Sequence, residues 1–517
     1  MKDCRAALRH LAKDRLFLAN LPGKKLMNAE NAPNLLRAIA HRVMNERGLE
    51  PDFPADAMRQ VNDIQGPARE TDQSIPDLRS LLWCSIDNDD SRDLDQLTVA
   101  RRVGANGTEV LIAIADVDAV VKVTSPIDRH AQKNTTSVYT AAQIFPMLPE
   151  KLSTNLTSLA EGQDRLAVVI QMEVDAAGSI QKPEVYRALV HNHAKLAYHS
   201  VGTWLEGQGR QKMPEGVART KGLDDQLRMQ DQIAQTMRSV RYQHGALDLE
   251  TIEPEAILSD GQVVDLRLER KNRAQQLIED FMIAANGVSA QFLDRHGVPS
   301  IRRVVRTPKH WDAIRKVAEG FSDPLPAEPD CKSLGAFLER RRQADPLRFP
   351  DLSLTIVKLL GSGEYILQLP GQPSVGHFGL AVQDYTHSTA PNRRFPDLIV
   401  QRLLKATLAG EEPPYTSADL GSLATHCTEQ ENAAKKVERQ VRKSAAAQLL
   451  SGRIGESFDS LVTGASEKGT WVRLLKPPVE GKLVSGHEGV KVGDRIKVRL
   501  THVNVERGFI DFVRGAQ

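Results

Sequence analysis

Five aspartates crowd into nine residues directly after an apolar run. The run is LLWCSI, and the aspartates that follow it are Asp87, Asp89, Asp90, Asp93 and Asp95. Carboxylates this dense repel one another unless a cation lies among them. Hard divalent ions such as Mg²⁺ take oxygen ligands and bind through one or two carboxylates together with substrate phosphates, so phosphate chemistry is the first hypothesis. A solvated acidic turn is the alternative for an isolated cluster.

A calcium-binding loop is a further alternative, which the sequence disfavours. Asp87, Asp89 and Ser91 have the right early spacing for such a loop. However, Arg92 stands where the sharp turn needs Gly, and Thr98 stands where a bidentate Glu is needed. The calcium loop therefore fails at two positions.

The acidic cluster is predicted to lie at the end of a strand. The segments LLWCSID, QLTVARRV and TEVLIAIADVDAVV are typical of strands, and Asn106-Gly107 is a hairpin signal between the last two. Asp93 and Asp95 are two residues apart, so in an extended backbone both would project to the same side. Asp87 could close the group from the preceding strand. We therefore expect three converging carboxylates that form a metal site.

Two further aspartates, Asp116 and Asp118, fall near the end of the third strand. They could belong to the same patch or cap the following turn. We place the capping role ahead.

The pattern resembles the signature of the ribonuclease II family, in which four aspartates in an I-D-x5-D-x-D-D arrangement carry the magnesium site. The matching residues here are Asp87, Asp93, Asp95 and Gln96. Further matching segments follow in the family order: TSVYTAAQIFPMLPEKLSTNLTSL (136–159), HAKLAYHSVGTWL (193–205), GALDLE (245–250), LIEDFMIAAN (277–286), HFGLAVQDYTHSTAPNRRFPDLIVQRLLKA (377–406) and a helix ending EQENAAKKVERQVRK. The resemblance covers about residues 52–450.

This resemblance implies a hydrolytic 3′–5′ exoribonuclease. Its substrate would be single-stranded RNA, released as nucleoside 5′-monophosphates by a two-metal mechanism. The implied cofactor is Mg²⁺, with Mn²⁺ as a substitute. RNA is therefore the expected partner.

One position departs from the family pattern, because Gln96 replaces the fourth carboxylate. A neutral amide can offer a carbonyl oxygen to a hydrated metal but supplies no charge, so metal binding should weaken. Asp95 matches the family aspartate whose loss is expected to abolish cleavage, and it is present. We predict an active enzyme with a higher Mg²⁺ requirement. The alternative is a catalytically impaired RNA-binding regulator that retains the RNA channel.

The resemblance also implies roles for residues outside the cluster. Arg393 in APNRRFPDL matches the arginine at the scissile phosphate, where a guanidinium stabilises charge better than Lys does. Arg394 could instead pair with Asp397 as ordinary surface structure. Flat side chains hold a terminal nucleotide without reading sequence, and Tyr139 and Tyr198 match the base-clamping tyrosines. Without the resemblance, Tyr139 would be assigned to the core.

The predicted site therefore has three sets of residues. The catalytic set is Asp95, Arg393, Asp93 and Asp87. The metal set is Asp87, Asp93, Asp95 and Gln96. The RNA-binding set is Tyr139, Tyr198, Glu279, Arg393, Arg394, Trp471 and Arg473, in which Glu279 is implied to contact the last sugar and Asp280 is its replacement if the register shifts by one. His377, Tyr385 and His387 lie near the arginines along the chain and are supporting candidates.

With 517 residues the chain exceeds what one hydrophobic core usually supports. The predicted fold class is α+β: a central ribonuclease II-type catalytic domain with a mixed sheet and helices, a small helical N-terminal domain, and a C-terminal five-stranded OB-fold barrel. The predicted boundaries are 1–55 for the basic N-terminal domain, with a winged helix as one option, 56–80 for a linker, 81–450 for the catalytic domain and 451–517 for the barrel.

Five short strands predict the barrel: SFDSLVTGAS, GTWVRLL, EGKLVS, DRIKVRLTHVN and GFIDFV. About half of the aromatic residues in so small a barrel should be core. Trp471 beside Arg473 is the first choice for an RNA-facing ring, because stacking on a base is worth about 1–3 kcal/mol.

Charge is divided unevenly along the chain. The net charge of +2 splits into +5 for residues 1–50, +7 for residues 435–517 and about −10 for the middle. Two basic ends around an acidic body are typical of nucleic-acid binding, although charge runs are often only solvated surface. We expect the N-terminal unit to bind the RNA backbone, with packing against the body as the alternative.

Membrane insertion and secretion are not predicted. The sequence has no run of about eighteen apolar residues and no signal-peptide core at MKDCRAALRHLAKDR, so a cytoplasmic location is expected. The four cysteines are far apart, which argues against structural zinc and a disulfide framework. Nothing resembles a coiled coil, and we expect a monomer.

Overall fold

The computed structural model describes residues 32–69, 74–104, 107–207, 210–250, 254–259, 262–268, 271–346, 348–466 and 469–515. Its α-helices are α1 (Ala32–Glu46), α2 (Ala55–Asp63), α3 (Pro126–Asn134), α4 (Tyr198–Glu206), α5 (Glu215–Arg219), α6 (Leu223–Gln243), α7 (Arg273–Arg295), α8 (Trp311–Glu319), α9 (Cys331–Ala344), α10 (Phe349–Leu360), α11 (Phe395–Ala409) and α12 (Ser417–Leu450).

Its strands are β1 (Cys84–Asp87), β2 (Gln96–Val103), β3 (Gly107–Ala115), β4 (Val138–Tyr139), β5 (Ile144–Phe145), β6 (Asp164–Val174), β7 (Ile180–His191), β8 (Ala194–Ala197), β9 (Pro254–Ser259), β10 (Gln262–Leu268), β11 (Ser300–Val304), β12 (Glu364–Gln368), β13 (Ser457–Ser466), β14 (Gly469–Leu474), β15 (Glu480–Ser485), β16 (Arg495–Asn504) and β17 (Phe509–Arg514). The three strands predicted around the acidic cluster are thus present as β1, β2 and β3.

A six-stranded sheet with the order β7-β6-β3-β2-β1-β8 forms the centre of the molecule. Neighbouring strands are antiparallel, except that β1 and β8 are parallel. The apolar sequence of β3 is buried along nearly its whole length, as expected for a strand covered on both faces. One hydrophobic cluster joins the sheet to α6, α7 and α11 through Leu227, Phe281 and Leu403. The predicted mixed sheet and α+β class are confirmed.

The N-terminal region is helical, as predicted, but it is not separated from the body by a spacer. The predicted linker at 56–80 contains most of α2, and its Ala57 and Val61 are buried in the same cluster as the central sheet. The structure therefore differs from the prediction there, because these two apolar side chains lie on one helical face that the body covers. Residues 1–31, which held the first part of the predicted basic domain, lie outside the described residues.

The long helix α12 leads directly into the C-terminal barrel. Its start is fixed by a capping box between Thr416 and Asp419. Strands β13 to β17 close in the order β13-β14-β15-β17-β16, with β15 and β17 parallel. The predicted five-stranded barrel is confirmed. No helix among the described ranges is both long and apolar enough to span a membrane.

Candidate active site

The acidic cluster forms a loop between β1 and β2, and that loop is fastened to a second segment. Ser158 Oγ accepts from the amide of Leu94 at 3.1 Å and donates to the carbonyl of Arg92 at 2.7 Å. The amide of Leu159 donates to the carbonyl of Leu94 at 2.9 Å. Asp93 and Asp95 therefore lie in a loop that these hydrogen bonds hold in place, and not in the strand that their spacing suggested.

Asp95 is the most deeply placed acid of the loop. It is 2% exposed. Its Oδ1 accepts from the amide of Asn392 at 2.9 Å, and its Oδ2 accepts from Arg393 Nε at 3.2 Å. Burial raises the pKa of Asp95 to about 7, although the positive charge of Arg393 lowers it. The carboxylate thus sits in a poorly solvated site beside a single guanidinium.

Asp87 and Asp93 complete the group of predicted acidic ligands. Asp87 Oδ1 accepts from the amide of Asn88 at 2.7 Å and from Ser91 Oγ at 2.9 Å. Burial raises the pKa of Asp87, and the negative charge of Asp93 raises it further. Asp93 likewise raises the pKa of Asp95. The three carboxylates therefore share one electrostatic neighbourhood.

Their predicted convergence is nevertheless incomplete. Within the described part of the chain, no group of three or more His, Cys, Asp or Glu side chains is close enough to hold a metal ion. Each acid is instead engaged by a neighbour: Asp95 by Arg393, Asp93 by Tyr139, and Asp87 by its own loop. The fourth predicted ligand, Gln96, begins β2 and is 8% exposed.

Arg393 lies in a tight turn that a buried aspartate organises. Asp397 Oδ1 accepts from the amides of Thr389 and Ala390 at 2.7 and 2.8 Å and from Arg394 Nη2 at 2.7 Å. The predicted Arg394–Asp397 pair is present, but the prediction of surface structure is wrong, because the Asp397 side chain is fully buried. Asp397 fixes the turn so that Arg393 can reach Asp95.

Tyr139 projects from the short hairpin of β4 and β5 toward the acids. Its Oη donates to Asp93 Oδ2 at 3.1 Å, and its amide donates to Glu438 Oε1 of α12 at 3.1 Å. Tyr139 is 41% exposed, whereas its neighbour Val138 is fully buried. The alternative assignment of Tyr139 to the core therefore does not hold.

Tyr198 lies near Asp87, the first acid of the loop. Strand β8 pairs with β1 so that Ala197 is opposite Asp87, and Tyr198 follows directly as the first residue of α4. Burial raises the pKa of Tyr198, and the charge of Asp87 raises it further. The two predicted base-holding tyrosines thus both lie near the acids.

Glu279 is engaged elsewhere. It pairs with Arg238 at 3.1 Å and with Lys271 at 2.8 Å. The adjacent Asp280 is 2% exposed and pairs with Arg241. Burial raises the pKa of Asp280 to about 6. In the described structure, Glu279 makes its ion pairs with these cations and not with Arg393.

Four rings cluster near Arg393 and Arg394, and the sequence identified three of them as candidates: His377, Tyr385 and His387. Tyr365 Oη hydrogen bonds His387 Nδ1 at 2.8 Å, and the rings of Tyr385 and His377 stack edge-on at 5.5 Å. Burial lowers the pKa of His377 to about 4 and that of His387 well below its usual value, so both imidazoles are neutral near pH 7. A cavity of about 210 Å³ is lined by Tyr139, Tyr365, His387, Arg393, Arg394 and Glu431.

Sequence reasoning missed Tyr365 and its partner Arg303. Arg303 lies over the Tyr365 ring at 4.7 Å and pairs bidentately with Glu431 at 2.6 and 2.9 Å. No local spacing connects these three residues, which come from β11, β12 and α12.

In the barrel, Arg473 is not free to meet RNA. Its guanidinium pairs with Asp351 of α10 at 2.7 and 3.1 Å, and both side chains are less than one-fifth exposed. Trp471 is half-buried on the same strand, next to Gly464. The Arg473–Asp351 ion pair docks the barrel on the catalytic body, and the predicted RNA-binding role of Arg473 conflicts with this contact.

Comparisons with known proteins agree with this architecture. The RNB domain model matches residues 75–410, and the model of the RNase II-type exonuclease C-terminal S1 domain matches residues 456–515. Ribonuclease R of Thermotoga maritima is 30% identical over 500 residues, which cover 89% of this chain and 68% of that protein.

Solved structures show the same fold. The apo form of Mycoplasma genitalium RNase R superposes with a TM-score of 0.82 at 21% identity, covering 93% of this chain and 78% of that one. Yeast Ssd1, described as a pseudonuclease, superposes with a TM-score of 0.67 at 15% identity, covering 86% of this chain and 55% of that one.

Proposed function

Because the chain belongs to the RNB family of RNase II-type exoribonucleases, we propose that it hydrolyses single-stranded RNA from the 3′ end and releases nucleoside 5′-monophosphates. Family membership places it among the 3′–5′ exoribonuclease hydrolases. The single-stranded substrate and the nucleoside 5′-monophosphate products of this chain are the proposal.

The contact between Asp95 and Arg393 carries the proposal. It joins the buried carboxylate of the acidic loop to a guanidinium that is still 44% exposed. The two side chains therefore lie at the same point. The Asp95 carboxylate is suited to bind a metal cation, and the Arg393 guanidinium is suited to bind a phosphate. A metal-dependent phosphodiesterase can use both groups at one scissile phosphate.

The donor atoms of the acidic loop suit a divalent cation, but binding one requires the described carboxylates to move closer together than they lie in this structure. Burial raises the pKa values of Asp87 and Asp95, which means that their negative charge is incompletely compensated by Arg393. Asp87, Asp93 and Asp95 offer hard oxygen ligands, and Gln96 offers a neutral carbonyl beside them. We propose these four residues as the Mg²⁺ ligands. Bound Mg²⁺ offsets phosphate charge and lowers the pKa of a coordinated water.

The protein's own groups would orient the scissile phosphate. Arg393 can stabilise the charge that gathers on the phosphate, because its Nη atoms remain available when Nε contacts Asp95. Asp397 fixes the turn beneath it through three hydrogen bonds. The guanidinium is thus preorganised, so little reorganisation is needed during the reaction.

The tyrosines would hold the 3′-terminal nucleotides. Tyr139 and Tyr198 lie near the acids, and a ring can stack on any base. The exposure of Tyr139 supports this role. Within the described structure Glu279 faces Arg238 and Lys271, so a contact with the last sugar would require this ion-pair network to share its carboxylate.

A second candidate is an RNA-binding regulator without turnover. Gln96 favours it, because the loop has one carboxylate fewer than the family pattern. The same fold also occurs in yeast Ssd1, which is described as a pseudonuclease. The presence of Asp95 and Arg393 in contact favours the enzyme.

A time course on a 5′-labelled, unstructured RNA tests the proposal. The RNA should be about 30 nucleotides long, roughly twice the longest stretch that one OB fold contacts, and it should be compared with a 3′-blocked form. We expect a shrinking ladder that disappears with the block and with Asp95→Asn. Internal fragments unaffected by the block would indicate an endonuclease. An intact, gel-shifted RNA at every Mg²⁺ and Mn²⁺ concentration would indicate the regulator.

A further inference from the structure

The hairpin that carries Tyr139 is too short to fix its own conformation. Strands β4 and β5 contribute two residues each, with Val138 opposite Phe145 and Tyr139 opposite Ile144. A hairpin of this size is marginally stable at best in water. The orientation of Tyr139 must therefore be set by what packs against the hairpin.

Helices α12 and α1 enclose the buried side of the hairpin in one hydrophobic cluster, in which α12 contacts β4 directly and α1 packs on α12. Val138 and Phe145 are 0% and 3% exposed and belong to a hydrophobic cluster apart from that of the central sheet. The cluster also contains Leu36, Ile39, Ala40, Val43 and Met44 of α1, and Ala434, Val437, Val441 and Ala445 of α12. Side chains alternate across a strand, so burying Val138 turns Tyr139 to the opposite side, toward Asp93.

A pair of hydrogen bonds ties the chain after α1 to the segment before the hairpin. Asn134 Nδ2 donates to the carbonyl of Glu50 at 2.8 Å, and Asn134 Oδ1 accepts from the amide of Glu50 at 2.8 Å. Asn134 is 2% exposed. Three residues later, the amide of Ser137 donates to the carbonyl of Arg393 at 2.9 Å. The same short stretch thus links α1, the arginine turn and Tyr139.

We propose that α1 is a positioning element of the active site. Through the cluster shared with Val138, Ile39 and Val43 hold the Tyr139 ring where it can stack on the terminal base. This inference rests on the proposed function. It also assigns the described part of the N-terminal region a role in packing, where the sequence suggested contact with the RNA backbone.

Val43→Ala removes two methyl groups from the cluster that α1 and α12 share with the buried side of the hairpin, and leaves a small cavity. A loosened hairpin should weaken stacking, and the loss should be greatest for RNAs too short to reach the barrel. For an RNA of about 6 nucleotides we expect KM to rise roughly 3- to 10-fold with kcat within about twofold, because stacking on one base is worth about 1–3 kcal/mol. KM for a 30-nucleotide RNA should change less than about twofold, since the barrel supplies further contacts.

A double-mutant cycle with Tyr139→Ala decides whether α1 acts through Tyr139. If it does, Val43→Ala should produce no further rise in KM when Tyr139 is already Ala. Additive effects on KM would overturn the inference. Val174→Ala is a matched control, because Val174 is fully buried at the end of β6, opposite the start of β3 and away from Asp95. It should leave the ratio of short-RNA to long-RNA KM unchanged.

Hydrogen exchange gives a test that does not depend on turnover. The peptide covering residues 136–146 includes the Tyr139 amide that donates to Glu438, and it should exchange faster in Val43→Ala than in the wild type or Val174→Ala. Ile39→Val, a milder deletion, should show a smaller effect in the same direction and serves if Val43→Ala does not fold. Unchanged exchange would overturn the inference. A wild type that neither binds nor cleaves RNA would instead overturn the proposed function.

Discussion

Arg393 Nε donates to Asp95 Oδ2 at 3.2 Å, although 298 positions separate the two residues in the chain. Asp95 is buried, whereas the Arg393 side chain is nearly half exposed. One end of the guanidinium is therefore anchored in the protein and the other is open to a ligand. The proposed role of Arg393 at the scissile phosphate therefore depends on the geometry of the group and not only on its charge.

Arg393→Lys should lower kcat about 100-fold, with a much smaller change in KM. Lysine keeps the charge, but its ammonium cannot contact Asp95 through one nitrogen and a phosphate through two others. The loss is of the size seen when one preorganised donor to a transition state is removed. Steady-state kinetics on a short RNA measure it. The exposed Arg92→Lys in the acidic loop is the control, and equal effects of the two variants would contradict the assignment.

Gln96→Asp should reduce the Mg²⁺ concentration needed for half-maximal activity about 3- to 10-fold, because a fourth carboxylate adds charge to the ligand set. The measurement is a Mg²⁺ titration at saturating RNA. Gln96→Ala should shift the midpoint the other way. A midpoint that stays unchanged in both variants would show that residue 96 does not contribute to metal binding.

Tyr139→Phe and Tyr139→Ala should separate the ring from the hydroxyl. Phe keeps the stacking surface and loses only the hydrogen bond to Asp93, so KM for a short RNA should stay within about threefold of wild type. Ala loses the ring, which is worth about 1–3 kcal/mol per stacked base. Equal KM values for the two variants would mean that the hydroxyl, and not the ring, sets RNA affinity.

Local sequence patterns predicted the strands around the acidic cluster and the C-terminal barrel. The alternation and hairpin signals around Asp87 and Asp95 gave β1, β2 and β3, and five short strands gave the barrel. These elements are set by spacing within a few residues. The capping role preferred for Asp116 is also present, since its side chain accepts from the amide of Ala119.

Such local patterns could not predict contacts between segments that lie far apart in the sequence. The turn that positions Arg393 depends on Asp397, whose burial no periodicity shows. Helix α2 was read as linker because its apolar face holds only Ala57 and Val61, too few to stand out. The prediction that Arg473 binds RNA conflicts with its ion pair to Asp351. No local pattern connects these two residues, because they lie 122 positions apart. In each case the partner, and not the residue itself, decides the role.

The Arg473–Asp351 pair should matter for docking of the barrel. Both side chains are largely buried, so Arg473→Glu should destabilise docking by about 1–3 kcal/mol, because it leaves two carboxylates facing each other. Limited proteolysis between the body and the barrel measures it. Combining Arg473→Glu with Asp351→Arg should restore resistance. Breaking the exposed Arg129–Asp56 pair, which joins α3 to α2 within the body, by Arg129→Glu is the control, which should have little effect.

The buried imidazole of His377 should make the protein less stable in mild acid. His377 Nδ1 accepts from the amide of Leu380 at 3.2 Å, which requires an unprotonated nitrogen. Burial, together with the positive charge of Arg303, lowers the pKa of His377 from 6.5 to about 4. Above about pH 6.5 the ring is neutral in both folded and unfolded chains, and the stability is fully present. As the pH falls toward 4, only the unfolded chain gains the proton, so stability is lost by up to about 1.4 kcal/mol per pH unit.

His377→Asn removes this titration while keeping an acceptor for the Leu380 amide. We expect the urea midpoint of this variant to fall less between pH 7.5 and pH 5 than that of the wild type. The variant should still lose some stability in acid, because burial also lowers the pKa of His387. The exposed His310→Asn should keep the wild-type dependence. If His377→Asn and the wild type lost stability in parallel, protonation of His377 would not be a source of the acid sensitivity.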